Sequence, residues 1–167
     1  FSIGLWQLDR AGQRVLDADG EPVPTYDDDD VAGLARVFTG LRGNQDNSLP
    51  VRIDDRFTRE YHEKGEKRFL STVIPASDDR TATESLGLAL DALDAHPNTP
   101  PFLSRQLIQR LVTSNPSGDY VRRVVGVWEN DGTGVRGNLA AVVKAILTDD
   151  AAWRRARTDG RAPTPRP

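Results

Sequence analysis

A chain of 167 residues that is 37% hydrophobic and 28% charged, with a net charge of -3, can bury a core and has the composition of a globular domain. It has no cysteine, which excludes disulfides, thiolate catalysis and cysteine-ligated metals, and it has no apolar run of about 18 residues that could span a membrane. Five arginines and one aspartate give residues 153–167 a charge of +4, so the rest carries -7, and an acidic body argues against non-specific nucleic-acid binding.

Residues 1–26 read as extended and hairpin-like. Trp6-Gln7-Leu8 and Arg14-Val15-Leu16 are strand-like runs separated by Asp9-Arg10-Ala11-Gly12. Asp17-Ala18-Asp19-Gly20 is a turn signal, and Pro22 and Pro24 confine the next residues to an edge or a loop. No internal repeat is evident. A first helix is expected over Tyr26–Thr39, capped by Thr25 with Asp28 three residues later. Its inward face would carry Val31, Leu34, Ala35 and Phe38, and Gly40 stops it. Residues 41–80 mix Gly, Asn, Asp and Pro with apolar positions at Phe57 and Phe69-Leu70, and are expected to form a long, irregular, packed segment with at most a short strand.

From Thr81 onward the pattern is helical. Thr81 and Glu84 form a capping box, and Leu86, Leu90 and Leu93 share one face up to His96-Pro97. Thr99 is the expected cap of the next helix, with Pro100 and Pro101 in the first turn, where proline is tolerated. That helix is apolar on more than one side, which predicts a central position. Ser117 caps a helix bearing Tyr120, Val121, Val124, Val125 and Trp128, and the last helix carries Leu139, Val142, Val143, Ile146 and Leu147. A basic, Pro-rich tail over 157–167 is expected to be disordered. The expected fold is therefore mainly α, with four to five packed helices, a small N-terminal β-hairpin and the irregular segment, over residues 1–156.

The chemistry-bearing residues are few. Carboxylates on adjacent helical positions point about 100° apart, so Asp27 to Asp30 cannot all chelate one ion, and the run is read as a helix start. Asp17 to Asp28 has the span of a calcium loop, but its glycine is at the fourth position and no helix precedes it, so it is not an EF-hand, and a weak surface calcium site is the minority reading. His62-Glu63-Lys64-Gly65-Glu66-Lys67 could hold an anion or present an acid or base, or His62 could brace its loop by bonding to the backbone. His96 stands at a helix junction, where it is expected to cap carbonyls. Arg105 and Arg110 are about 140° apart on their helix, so each faces a different partner, and each is expected to pair inside the fold. The ligand-binding candidates are thus His62, Lys67, His96, Arg105 and Arg110. With two histidines and no cysteine, neither a metal nor a cofactor is expected. No phosphate loop, nucleophile elbow or metalloprotease helix is present.

Six segments, taken in chain order, make the sequence resemble a bacterial family, domain of unknown function 1800. They are Phe1-Ser-Ile-Gly4, Tyr26 with Asp30-Val31 and Ala35-Arg-Val-Phe-Thr-Gly40, His62-x-x-Gly65-x-Lys67, Leu90-Asp-Ala-Leu93 with His96-Pro97, Phe102-x-x-Arg105-Gln-Leu-Ile-x-Arg110-Leu-Val112, and Gly137-x-Leu139-x-Ala-Val-Val-x-Ala-Ile-Leu147. The resemblance covers about residues 1–150, with Leu41 departing from the tryptophan usual after Thr-Gly. It implies that the chain is the C-terminal part of a larger, mostly helical protein, consistent with the absence of methionine and the apolar opening. It also implies an exported, periplasmic or extracellular bacterial protein. The expected function is a non-catalytic module that scaffolds or binds a partner, either the upstream part of the same protein or another chain. The alternative is part of an enzyme, a hydrolase, with a cleft near His62, Lys67 and Arg105, an acid such as Glu63 or Asp91, and residues from upstream.

Overall fold

A computed structural model describes residues 3–41 and 60–153. These are mainly helical with one two-stranded sheet, as the periodicities predict. They form two compact units, residues 24–41 with 60–96, and residues 3–23 with 97–153.

The first unit comprises helix α1 (Asp28–Val37), strands β1 (Lys67–Phe69) and β2 (Thr72–Ile74), and helix α2 (Ala82–Ala95). The N-cap of α1 is Asp27 and not the expected Thr25. Asp27 accepts from the Asp30 N–H at 2.9 Å, and Asp30 accepts in return from the Asp27 N–H at 3.1 Å. A carboxylate serves the orphan N–H groups and the positive helix end better than a hydroxyl, and Thr25 is buried instead. The acidic run is therefore a helix start. The second oxygen of Asp30 accepts from Leu70 N at 2.6 Å, which ties the helix to the turn between the strands.

α1 buries Gly33, Leu34 and Val37, while Val31 and Phe38 of the expected face are exposed. Gly33 is the physical reason. A Cβ there would lie 1.7 Å from the Arg68 carbonyl oxygen, so glycine lets β1 lie against the helix backbone and draws this face inward. The sheet itself falls in the segment expected to be irregular. β1 and β2 pair antiparallel, Arg68 opposite Val73, around Leu70 and Ser71 with φ of +47° and +62°. A left-handed turn without Gly or Asn gives no sequence signal, and it costs on the order of 1–2 kcal/mol for each residue. Residues 42–59, including Phe57, lie outside the described residues.

α2 has the expected Thr81–Glu84 capping box. Its inward face is Ala82, Ser85 and Ala89 instead of the leucines, and Leu90 is 55% exposed. Small side chains let α2 approach α1 and β2 closely. Leu34, Val37, Phe69, Ile74 and Ala89 make this unit's core.

The second unit joins the N-terminal segment to helices α3 (Thr99–Leu111), α4 (Gly118–Glu129) and α5 (Leu139–Thr148). The N-terminal segment is not a simple hairpin. Val15 N donates to Gln7 O, Val23 N to Val15 O and Gln7 N to Val23 O, at 2.9, 3.0 and 2.9 Å, closing a ring of three short extended pieces. The eight-residue spacing reveals an internal repeat, contrary to expectation: Phe1-Ser-Ile-Gly-Leu-Trp-Gln-Leu, Asp9-Arg-Ala-Gly-Gln-Arg-Val-Leu and Asp17-Ala-Asp-Gly-Glu-Pro-Val-Pro. Gly4, Gly12 and Gly20 all take left-handed φ, at +87°, +72° and +84°. Asp9 and Asp17 each accept from two N–H groups of their own turn, so the second acidic motif is a turn brace.

Asn98, and not Thr99, is the N-cap of α3, and its side chain makes no capping bond. Buried, it accepts from Leu8 N at 2.6 Å and donates to the carbonyls of Ile3 at 2.6 Å and Trp6 at 3.0 Å. The central helix is α4 and not α3. Tyr120, Val121, Val124, Val125 and Trp128 are all buried, as their spacing predicts, against Ile108, Val142 and Ile146. Leu103 and Leu107 of α3 are only partly buried and Leu111 is exposed. Ser117 caps α4 as expected, and the Tyr120 hydroxyl donates to Ile146 O at 2.6 Å. The tail expected over 157–167 lies outside the described residues.

Two substitutions test these contacts by unfolding in urea. Gly33→Ala is expected to lose on the order of 3 kcal/mol, because the contact it violates is with backbone and not with a movable side chain. Asn98→Asp is expected to lose at least as much as Asn98→Ala at neutral pH, because a carboxylate has no hydrogen to offer the Ile3 and Trp6 carbonyls. Wild-type stability in the Asn98→Asp protein would refute the assigned role.

Candidate functional site

The histidine motif lies in the first unit and is internal. His62 is 4% exposed. Its Nδ1 is 2.8 Å from Thr39 O, and since a carbonyl only accepts, Nδ1 carries the hydrogen. In the neutral ring Nε2 then accepts from the Ser85 hydroxyl, also at 2.8 Å. Both ring nitrogens are thus engaged in joining the end of α1 to α2. Thr39 Oγ1 meanwhile accepts from Glu63 N at 2.9 Å and donates to Arg36 O at 2.7 Å.

Lys67 is 1% exposed, and its ammonium donates to Glu63 O at 2.5 Å and Gly65 O at 3.0 Å. Burial lowers its pKa, as do Arg36 and Arg80, while Glu63 raises it. The Glu63 carboxylate is taken by Arg36 in a bidentate pair, which holds it below the usual carboxylate range. A Cβ at Gly65 would lie 2.7 Å from the Glu63 carboxylate and 2.9 Å from the Arg36 guanidinium, so glycine leaves the pair its space. His96 is the half-buried C-cap of α2, and burial lowers its pKa against the opposing pull of Asp30. Asp91 lines a wide surface groove of about 540 Å³ together with Asp79 and Glu84.

The two arginines belong to the second unit and not to the unit of His62 and Lys67. Arg105 is half-buried and donates to Gly12 O at 2.8 Å, an internal partner, but a loop carbonyl and not the acid or helix carbonyl expected. Arg110 is exposed, against the expectation of an internal pair. Arg105 lines a cavity of about 230 Å³ with Trp6, Arg14, Phe102, Gln106 and Gln109. Arg14 stands 5.8 Å from the centroid of the Trp6 ring, a cation–π distance. The sequence nominates Arg105 and not the others. Phe102, Arg105, Gln106 and Gln109 share one helix face at i, i+3, i+4 and i+7, a spacing that could have flagged them. Nothing local pairs them with residues some 90 positions earlier.

A family model described as "Protein of unknown function (DUF1800)" matches residues 1–166. The chain belongs to this family. No curated protein and no solved structure matches it. The segments that carry the likeness to DUF1800 have structural work in this chain. Thr39-Gly40 receives His62, Gly65 and Lys67 form a loop closed on its own ammonium, and Gly4 lies against Phe102, where a Cβ would be 2.6 Å from the ring.

One acid outside the nominated set is strongly perturbed. Asp131 is held far below the carboxylate range by the Thr133 hydroxyl, the Asn138 amide and the backbone of its loop. Its oxygens are turned into the loop between α4 and α5, where they accept from Thr133 N and Oγ1, Val135 N and the Asn138 amide, while the neighbouring Asn130 side chain accepts from Gly132 N and Gly134 N.

His96 generates a pH prediction. Its folded pKa lies below its ordinary 6.5, so between those values the unfolded chain binds more protons and stability rises with pH. Acidification through this window is expected to lower the urea midpoint, and His96→Gln is expected to flatten that slope. An equal slope in wild type and variant would show that His96 does not carry it.

Proposed function

We propose that this chain is a non-catalytic module that binds a partner protein in the periplasm or outside the cell. The observation that carries this reading is the outer face of α5. A helix apolar on nearly all sides is normally enclosed. α5 carries one charged residue, Lys144, yet buries only Val142 and Ile146. Leu139 and Leu147 are 57% and 45% exposed, with Val143 between them at i+4 on the same stripe. Such a stripe is stabilised by an apolar surface from another molecule. The state of the chemical candidates supports the same reading. The His62 ring, the Lys67 ammonium and one arm of Arg105 are all bonded to groups of this chain, whereas a general base needs a nitrogen aimed at substrate. Export rests on the family resemblance.

A photo-cross-linking residue at position 147, in the protein expressed in its own cells, is expected to give one discrete adduct in the envelope or secreted fraction. Leu139→Glu is expected to remove most of it. Cross-linking to nothing, or a protein confined to the cytosol, would defeat the proposal. A His62→Ala variant that keeps its far-UV and unfolding signature but loses a measurable turnover would favour the hydrolase reading instead.

A further inference from the structure

The cavity of the second unit has a composition that selects a ligand. On one wall, α3 presents Arg105, Gln106 and Gln109, with Phe102 below them. On the other, the N-terminal segment presents Trp6 with the Arg14 guanidinium over its ring. Two arginines line the space, and among the described residues that line it there is no carboxylate. Arg105 is held in position by its bond to Gly12 O, which leaves its remaining N–H groups for a ligand. The Gln106 amide makes no hydrogen bond among the described residues. The Gln109 amide nitrogen donates to Ser114 O at 3.2 Å, and its oxygen remains open. Aromatic and aliphatic surface from Trp6, Phe102 and Leu8 completes the lining.

Size restricts the occupant. At about 230 Å³ the cavity is below the range of roughly 300–1,000 Å³ that takes drug-sized ligands. It fits one residue. The wall is built and not incidental, because left-handed Gly4 brings the backbone to the Phe102 ring, where any Cβ would collide. We infer that this cavity captures the C-terminal residue of a partner chain, an apolar or aromatic side chain bearing a free α-carboxylate. The planar fork of an arginine matches a carboxylate bidentately, and the glutamine amides suit the preceding peptide group. The inference rests on the partner-binding reading and names the part of the partner that is held.

The test uses the full chain, labelled with ¹⁵N, and a pentapeptide ending in phenylalanine with a free or an amidated C-terminus. The free acid is expected to shift the Trp6 indole signal, assigned by loss in Trp6→Phe, and the side-chain amides of Gln106 and Gln109. Amidation is expected to weaken binding by about tenfold or more, and so is Arg14→Gln, whose exposed position leaves folding intact. Arg122→Gln, which removes the same charge from the exposed face of α4, is expected to leave affinity unchanged. Equal binding of acid and amide, shifts confined to other surfaces, or no binding would overturn the inference. Binding of N-acetyl-phenylalanine without binding of the peptide would overturn it too, by assigning the cavity to a small free acid. Any of these failures leaves the cross-linking result at position 147 standing on its own evidence. A missing adduct at 147 together with peptide capture would separate the two in the other direction.

Discussion

The side-chain amide of Asn98 satisfies three backbone groups that the closed ring of the N-terminal segment leaves outside itself. The ring joins Gln7, Val15 and Val23 to one another, but Leu8 N, Ile3 O and Trp6 O turn toward α3, with Ile3 O buried and the other two part-buried. Leaving one buried polar group uncompensated costs about 1–3 kcal/mol, a substantial share of a domain's stability, and the part-buried pair adds to it. A primary amide has two donors and an acceptor on one short stem, which meets this set where a hydroxyl or carboxylate cannot. The cost is a missing side-chain cap on α3, which the prolines at its start reduce by removing N–H groups. The rest of the second unit takes its geometry from this joint. It aims the Phe102–Arg105–Gln106–Gln109 face at the N-terminal segment, sets Arg105 within reach of Gly12 O and encloses the cavity.

The first unit is held by the same kind of logic, with glycine in place of asparagine. At Gly33 and Gly40 a Cβ would meet backbone at 1.7 and 2.6 Å, so two chain segments pass at distances that side chains forbid. Gly40 also takes a φ of +72°, which turns the chain after α1 and presents Thr39 O to His62. Residues capable of chemistry then act as cement. An imidazole joins a carbonyl to a hydroxyl, and an ammonium gathers two carbonyls of its own loop. Burying that ammonium is costly, as its lowered pKa reports. The loop backbone supplies the acceptors that make the burial tolerable.

These two devices explain how much of the fold is legible in the sequence. α4 is readable in full, because Ser117 marks its start and five large residues repeat at helical spacing on one face. The Thr81–Glu84 box is readable for the same reason, as a local pattern with a local cause. Periodicity misplaces the faces of α1 and α2 because close approach is achieved by Gly33, Ala82, Ser85 and Ala89, which carry no hydrophobic signal, while Val31, Phe38 and Leu90 carry a strong one and point outward. The hairpin is hidden because Leu70 and Ser71 adopt a conformation that neither advertises. The octapeptide repeat is hidden because its three copies share little beyond glycine at the fourth position, and the feature that unites them is a ring of backbone bonds. For the candidate site, the structural roles of His62 and Arg105 are among the alternatives the sequence allows. Those of Trp6, Arg14, Gln106 and Gln109 are not, since they meet only through tertiary contacts such as the Asn98 bonds, the Arg105–Gly12 bond and the packing of Gly4 on Phe102.

The kind of chemistry left open bears on the kind of function. A group that moves protons at neutral pH must change its charge there. His62 has both nitrogens occupied, Lys67 is enclosed, and Glu63 is fixed by Arg36. The cavity of the second unit is lined instead by two arginines and two glutamines, whose side chains offer N–H donors. Donors of this type hold an anion in a fixed orientation without exchanging protons with it. The proposed recognition of a carboxylate and the exposed leucine stripe on α5 are therefore compatible readings, each of which a second molecule would complete without a proton transfer.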